Sequence, residues 1–211
     1  MALDYEEQEQ VDELKAWWKQ HGNKVMAGVT LFVLTVAGWQ GWVAYQSKQT
    51  SEAAALFDGL RKELVTNDAK KIREIAGQLI DKYPRTIYAT DAAMIAAKVN
   101  FESGDAKSAK AQYQWVIEHA QQSQSKELGK LRLAVVLLDE KNYADALKQL
   151  DGVHDAAFAP MFNDLKGDVY SLQGKSLEAR NAYQAALDQL PKDNAFRNYV
   201  QLKLDALGEQ G

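Results

Sequence analysis

Hydrophobic and polar positions divide this chain into two regimes. From Val25 to Tyr45 the sequence VMAGVTLFVLTVAGWQGWVAY holds no Asp, Glu, Lys or Arg. From about Ser51 onward, apolar residues return every three or four positions, in runs separated by short polar breaks. That is the pattern of amphipathic helices, and no strand alternation interrupts it. The first regime predicts one transmembrane helix over 25–45. At 1.5 Å per residue it is about 31 Å long, against about 30 Å of hydrocarbon. Trp39, Trp42 and Tyr45 gather at its C-terminal end, where amphipathic rings sit among headgroups. A buried core helix would rarely stay charge-free for about six turns. A cleaved signal peptide fits less well still, because the run is too long, no A-x-A site follows it and the leader is acidic.

The leader, residues 1–24, places Val11, Leu14, Trp17 and Trp18 at helical spacing, with Lys15 and Lys19 among them. This predicts a short amphipathic helix on the membrane surface that runs into the span. For residues 1–10 an acidic disordered tail is the alternative. Lys15, Lys19 and Lys24 precede the span, whereas Lys48 alone follows it closely. The positive-inside rule then puts the N-terminus in the cytoplasm and residues 46–211 on the other side. Ala37 and Gly41 form a small-xxx-small pair, the spacing that lets a second helix approach closely within a membrane.

Residues 46–211 read as a helical repeat array. The clearest unit, 160–193, contains Gly167, Tyr170, Gly174, Ala179, Tyr183, Ala186 and Pro191. Small residues at Gly167 and Ala179 suit the crossing of two helices, and the tyrosines fill the space beside it. Gly174 lies in the turn and Pro191 stops the second helix. These offsets resemble a tetratricopeptide repeat. Weaker units fall at about 127–160, 90–122 and 53–85. In the first, Ala146, Leu150 and Val153 take second-helix positions. The equivalent small-residue positions Ile72, Ala109, Ala146 and Ala179 are 37, 37 and 33 residues apart. Asp105 and Asn142 are expected N-caps. Asp193 is expected to cap a last helix within 194–207, whose outer face would carry Arg197, Gln201, Lys203 and Asp205. The fold class is therefore all-α: one N-terminal transmembrane helix, then a tetratricopeptide-like solenoid of helical hairpins with a C-terminal cap.

Charge and chemistry narrow the function. Net charge is −4, with six acids against three bases in the leader, which leaves the remainder at −1. A nearly neutral domain without a basic block argues against nucleic acid as a partner. There is no cysteine, hence no disulfide and no thiolate chemistry. His21, His119 and His154 lie in separate segments without metal-site spacing and read as solvated or cap-region histidines. Asp164 and Asp168, one turn apart, read as a charged helix face rather than an acid–base pair. Nothing points to catalysis, a cofactor or a metal. In tetratricopeptide proteins that grip a peptide's C-terminal carboxylate, Lys, Asn and Arg occupy fixed positions on the first helix of each unit. The matching pairs here are Met94/Lys98, Leu131/Val135 and Asp164/Asp168, which depart from that clamp. They predict a partner-binding groove of apolar and acidic character.

The head segment EEQEQVDELKAWWKQHGNKVMAGV, the AGWQGW end of the span and LRLAVVLLDEKNYADALKQLD together resemble the YfgM family, along essentially the whole chain. The resemblance implies an ancillary, non-catalytic subunit of the bacterial SecYEG translocon. It implies an inner-membrane protein with a cytoplasmic N-terminus and a periplasmic repeat domain. It also implies association with a PpiD-like periplasmic chaperone and the passing of translocated proteins, as unfolded clients, to such chaperones. The alternative from a different class is a membrane-anchored scaffold for an envelope complex unrelated to secretion.

Overall fold

The computed structural model describes residues 2–208, with side chains placed from residue 7 onward. The leader acids Asp4 and Glu6 therefore lie outside the described side chains. The helices are α1 (Ala2–Thr66), α2 (Ala69–Lys82), α3 (Ile87–Glu102), α4 (Ala106–His119), α5 (Ser123–Asp139), α6 (Tyr143–Leu150), α7 (Ala159–Leu172), α8 (Ser176–Gln189) and α9 (Ala195–Ala206). No strand occurs among the described residues. Residues 1–49 and 50–211 form separate compact units.

The first unit is helical from residue 2 and includes the charge-free run. This stretch is long and apolar enough to cross a membrane, and none of it is buried inside the chain. Ala37 and Gly41 lie exposed on it. Before the run, Val11, Leu14, Trp17 and Trp18 are also exposed, and the Trp17 ring stacks on His21 with centroids 5.3 Å apart.

The second unit repeats one turn four times. Asn67, Gly104, Lys141 and Gly174 all have positive φ, of 55°, 84°, 59° and 72°. They keep the 37, 37 and 33 spacing expected from the small residues. At each, the next residue's N–H reaches back five positions to a carbonyl. Asp68 donates to Glu63, Asp105 to Asn100, Asn142 to Leu137 and Lys175 to Tyr170, at 3.2, 2.8, 2.8 and 2.9 Å. This closes one helix with a left-handed residue and opens the next within two positions. Three of the four following residues then cap the new helix. Asp68, Asp105 and Asn142 accept from the N–H of Lys71, Ser108 and Asp145. Lys175 offers no acceptor and makes no cap bond. Glycine suits positions 104 and 174 because it lacks the Cβ that clashes there. Lys141 bears that clash at about 1 kcal/mol.

Between turns the hairpins stack in chain order, and the first helices also touch along the array, α3 with α5 and α5 with α7. Small residues make the close crossings: Ala76, Ala97, Ala109, Ala134, Ala146 and Ala179 are fully buried. The main core spans α3 to α7 and includes Tyr113, Val136, Phe162 and Val169. A polar staple joins three helices. Arg73 of α2 donates to Asn100 of α3 at 2.6 Å, and Asn100 donates to Gln112 of α4 at 2.8 Å.

Three local expectations are corrected. Val153 is not on a second helix: α6 ends at Leu150, Gly152 turns the chain with φ of 115°, and Val153 is fully exposed. Asn194, not Asp193, caps α9, by accepting from the Phe196 N–H at 2.9 Å. Arg197 and Lys203 do not face outward. Arg197 donates to the Leu187 and Leu190 carbonyls at the end of α8, which satisfies acceptors the helix leaves open.

Candidate protein-binding groove

α3 turns its alanines inward. Ala92, Ala93, Ala96 and Ala97 are fully buried, so Met94, Ile95, Lys98 and Phe101 turn toward the neighbouring first helix. α5 answers with Leu128, Arg132 and Val135 at i, i+4 and i+7, one stripe of a helix. Between them lies a hollow of about 440 Å³, which Glu102, Tyr113 and Val136 also line. A second hollow of about 280 Å³ adjoins it and shares Met94, Ile95 and Leu128. Phe57, Asp91 and Ser125 complete that one.

The charges are unevenly placed. Lys98 pairs with Glu102 at 2.5 Å, an exposed i,i+4 pair that contributes little. Among the described residues no carboxylate lies within ion-pairing distance of exposed Arg132. Asp91 is half-buried in the adjoining hollow, and burial pushes its carboxyl above the usual range. Burial also pushes up the Tyr113 phenol. The larger hollow thus carries Lys98, Glu102 and Arg132 among apolar side chains, and the adjoining one carries Asp91.

Of the six predicted groove residues, Met94, Lys98 and Val135 line the hollow. Leu131 sits in the core beneath it. Asp164 and Asp168 are elsewhere, on α7 against α9. Lys203 bonds both Asp164 oxygens at 3.0 and 2.9 Å and Asp168 at 2.8 Å, and Tyr183 donates to Asp168 at 2.8 Å. Burial opposes the Lys203 charge, but the two carboxylates outweigh it and raise its pKa. Burial pushes Asp164 up more than the one shared ammonium pulls it down. Burial, and then the Asp168 hydrogen bond, push the Tyr183 phenol well above its ordinary value. The two aspartates form a packed ion triad rather than a solvated helix face.

His154 also departs from the sequence reading. Its side chain is buried, stacked on Phe162 with centroids 3.5 Å apart. Nδ1 lies 2.6 Å from Glu127 and Nε2 lies 2.9 Å from the Leu150 carbonyl. It pins the long α6–α7 connection to α5. His21 and His119 bond the carbonyls of Trp17 and Trp115 one turn earlier. Arg132 was missed because the family positions select Leu131 and Val135 on α5, and Asp91 because they select Met94 and Lys98 on α3. The i, i+4, i+7 stripe Leu128–Arg132–Val135 was the signal that could have found the groove face.

Residues 15–209 match the model of a tetratricopeptide repeat-like domain family. A Neisseria gonorrhoeae protein named "Ancillary SecYEG translocon subunit" is 36% identical over 98% of this chain and 100% of its own length. The chain belongs to the YfgM family. Family relatives of the same name from Haemophilus influenzae and Escherichia coli are 27% and 24% identical. They align over 88% and 98% of this chain and over 91% and 99% of their own lengths.

Proposed function

We propose that this YfgM-family chain is a non-catalytic ancillary subunit of the SecYEG translocon. Residues 25–45 anchor it in the inner membrane, with the leader in the cytoplasm and residues 46–211 in the periplasm. The repeat domain hands translocated proteins to a PpiD-like chaperone. The observation that carries this reading is the alignment with the gonococcal relative, which runs through anchor and repeats alike. The lysines before the apolar run support the orientation. Ala37 and Gly41 give the anchor a small-residue face for a partner helix.

The test is a tagged pull-down from membranes in mild detergent, with co-purifying proteins identified by mass spectrometry. SecY, SecE and a PpiD-like chaperone are the expected recoveries. A different stable envelope complex without SecY would favour the scaffold alternative and overturn the proposal. Orientation is tested separately, because the chain has no cysteine of its own. Ser171→Cys, exposed in the last turn of α7, is the choice, since Gln173 two residues on has a buried side-chain oxygen. An impermeant maleimide is expected to label it in spheroplasts with an intact inner membrane. Labelling that requires lysis would place the repeats in the cytoplasm.

A further inference from the structure

We infer that His154 is a proton-operated clasp. With a proton on each ring nitrogen it ties the α6–α7 connection to α5, and loss of one of those protons to water frees the connection. The clasp goes beyond the translocon reading and does not depend on it.

His154 sits where the array is irregular. α2, α4 and α8 have 14 residues each, whereas α6 has 8. α6 stops at Leu150, and residues 151–158 form the longest connection between helices of the repeat unit. Gly152 turns this connection with φ of 115°, and Val153 is fully exposed. The His154 side chain, next in sequence, is only 6% exposed. One face of its ring lies on Phe162 of α7. Its two nitrogens make the polar attachment of the connection to α5 and to the end of α6.

Acceptors on both sides set the number of protons. Nδ1 lies 2.6 Å from a Glu127 carboxylate oxygen, and Nε2 lies 2.9 Å from the Leu150 carbonyl. A carboxylate and a carbonyl accept and do not donate, so both nitrogens have to donate. A neutral imidazole has one N–H and would turn a lone pair toward one of the two oxygens. The imidazolium has two. Leu150 ends α6, so its carbonyl has no partner within the helix and stands at the negative end of the helix dipole, which favours a cation there.

Neighbouring charges decide what a lost proton does. α5 carries Glu127 and Lys130, α6 carries exposed Lys148 in its last turn, α7 carries Lys166, and the connection carries Asp151 and Asp155. Of these, Glu127 bonds the ring. Its other oxygen takes the Lys130 ammonium at 3.0 Å, and Lys166 pairs with Asp151 at 3.1 Å. Glu127 therefore keeps a cation when the ring becomes neutral, and α5 stays folded. The connection alone loses a charge-assisted bond. The clasp is complete while the ring is doubly protonated, and it opens as pH rises through the titration of the ring.

The test uses the full chain in detergent micelles. With three histidines in the chain, selective nitrogen-15 labelling of the rings gives a readable spectrum, and the His154 signals are those absent from His154→Gln. Two-bond proton–nitrogen correlations are expected to show both nitrogens protonated at about pH 5 and one at about pH 8. Hydrogen exchange of residues 151–159, read by mass spectrometry and corrected for the intrinsic rate at each pH, reports opening. The Phe158 and Ala159 N–H groups donate there to the Asp155 carbonyl. Their protection is expected to fall about tenfold over the same range, the scale of one hydrogen bond to a charged group. His154→Gln should stay near the high-pH level throughout. Glu127→Gln should also flatten the step, because an amide can donate to a neutral ring. His119→Gln should keep the full step. Circular dichroism checks that each variant folds, and the wild-type spectrum and exchange decide the matter without them. A ring with one proton at every pH, a ring with two at every pH, or flat wild-type protection would overturn the proposal. So would a full step in His154→Gln, or one lost in His119→Gln.

Discussion

Replacing Lys203 with Met lowers the unfolding free energy by about 3 kcal/mol, the scale for removing one partner from a largely buried ion pair. Met keeps the apolar stem of the side chain and gives up only the ammonium, whose Nζ lies 4.5 Å from the Tyr199 ring centroid. The loss therefore comes from charge. Without Lys203, Asp164 keeps a nearly buried carboxylate with no cation, and Asp168 keeps only the Tyr183 hydrogen bond. Adding Asp164→Asn and Asp168→Asn to Lys203→Met is expected to recover most of the loss, because neutral amides need no counter-ion. Guanidinium unfolding of the detergent-solubilised chain, followed by circular dichroism, reads both variants. A loss under about 0.5 kcal/mol in the single variant would show that the triad acts as a surface pair. The pH dependence carries its own sign. Lys203 has a folded pKa above its unfolded value of 10.5. Its contribution is complete below 10.5 and is lost as pH rises through the folded value. Wild type should thus lose stability in alkali, and Lys203→Met should lack that part of the loss. Asp164 works with opposite consequence for acid. Its pKa is raised above 3.8, so acid relieves rather than breaks the site as it protonates. Acidification should restore part of the Lys203→Met deficit.

Local chemistry makes the array legible in the sequence alone. Small residues at helix crossings and a proline stop are nearest-neighbour requirements, so a 37, 37 and 33 spacing was visible directly. Asp105 and Asn142 announced themselves as caps for the same reason. The weak points were pairings between residues far apart in sequence. Nothing near Asp164 indicates that Lys203, 39 residues later, will meet it. Nothing near Glu127 marks His154 as its partner. Both pairs hide polar groups in an array whose pattern places polar residues outside, so burial was misread as exposure. The groove was half legible. Met94, Lys98 and Val135 followed from family positions, but a shift of one residue on α5 is 100° of rotation. It separates buried Leu131 from exposed Arg132.

Gly167→Ala is expected to cost about 2 kcal/mol, although alanine is the better helix former by about 1 kcal/mol. A Cβ at position 167 would stand 2.3, 2.4 and 2.8 Å from three atoms of the Tyr183 ring. The ring cannot easily yield: it is buried in the α8–α9 cluster and its hydroxyl is tied to Asp168. Moving it also loosens the Lys203 triad, so overpacking and polar loss act together. Gly77→Ala on α2 is the matched control, since a Cβ there meets nothing within 4 Å. That variant should be neutral or slightly more stable, as propensity alone dictates. Tyr183→Leu in the Gly167→Ala background frees the space and should leave the double variant more stable than the two single losses would add up to, by at least about 1 kcal/mol. Tyr183→Phe should not, because it keeps the ring that collides. If Gly167→Ala and Gly77→Ala unfold alike, the crossing at Gly167 is looser than the 2.3 Å approach requires, and Tyr183 would not set the spacing of α7 and α8.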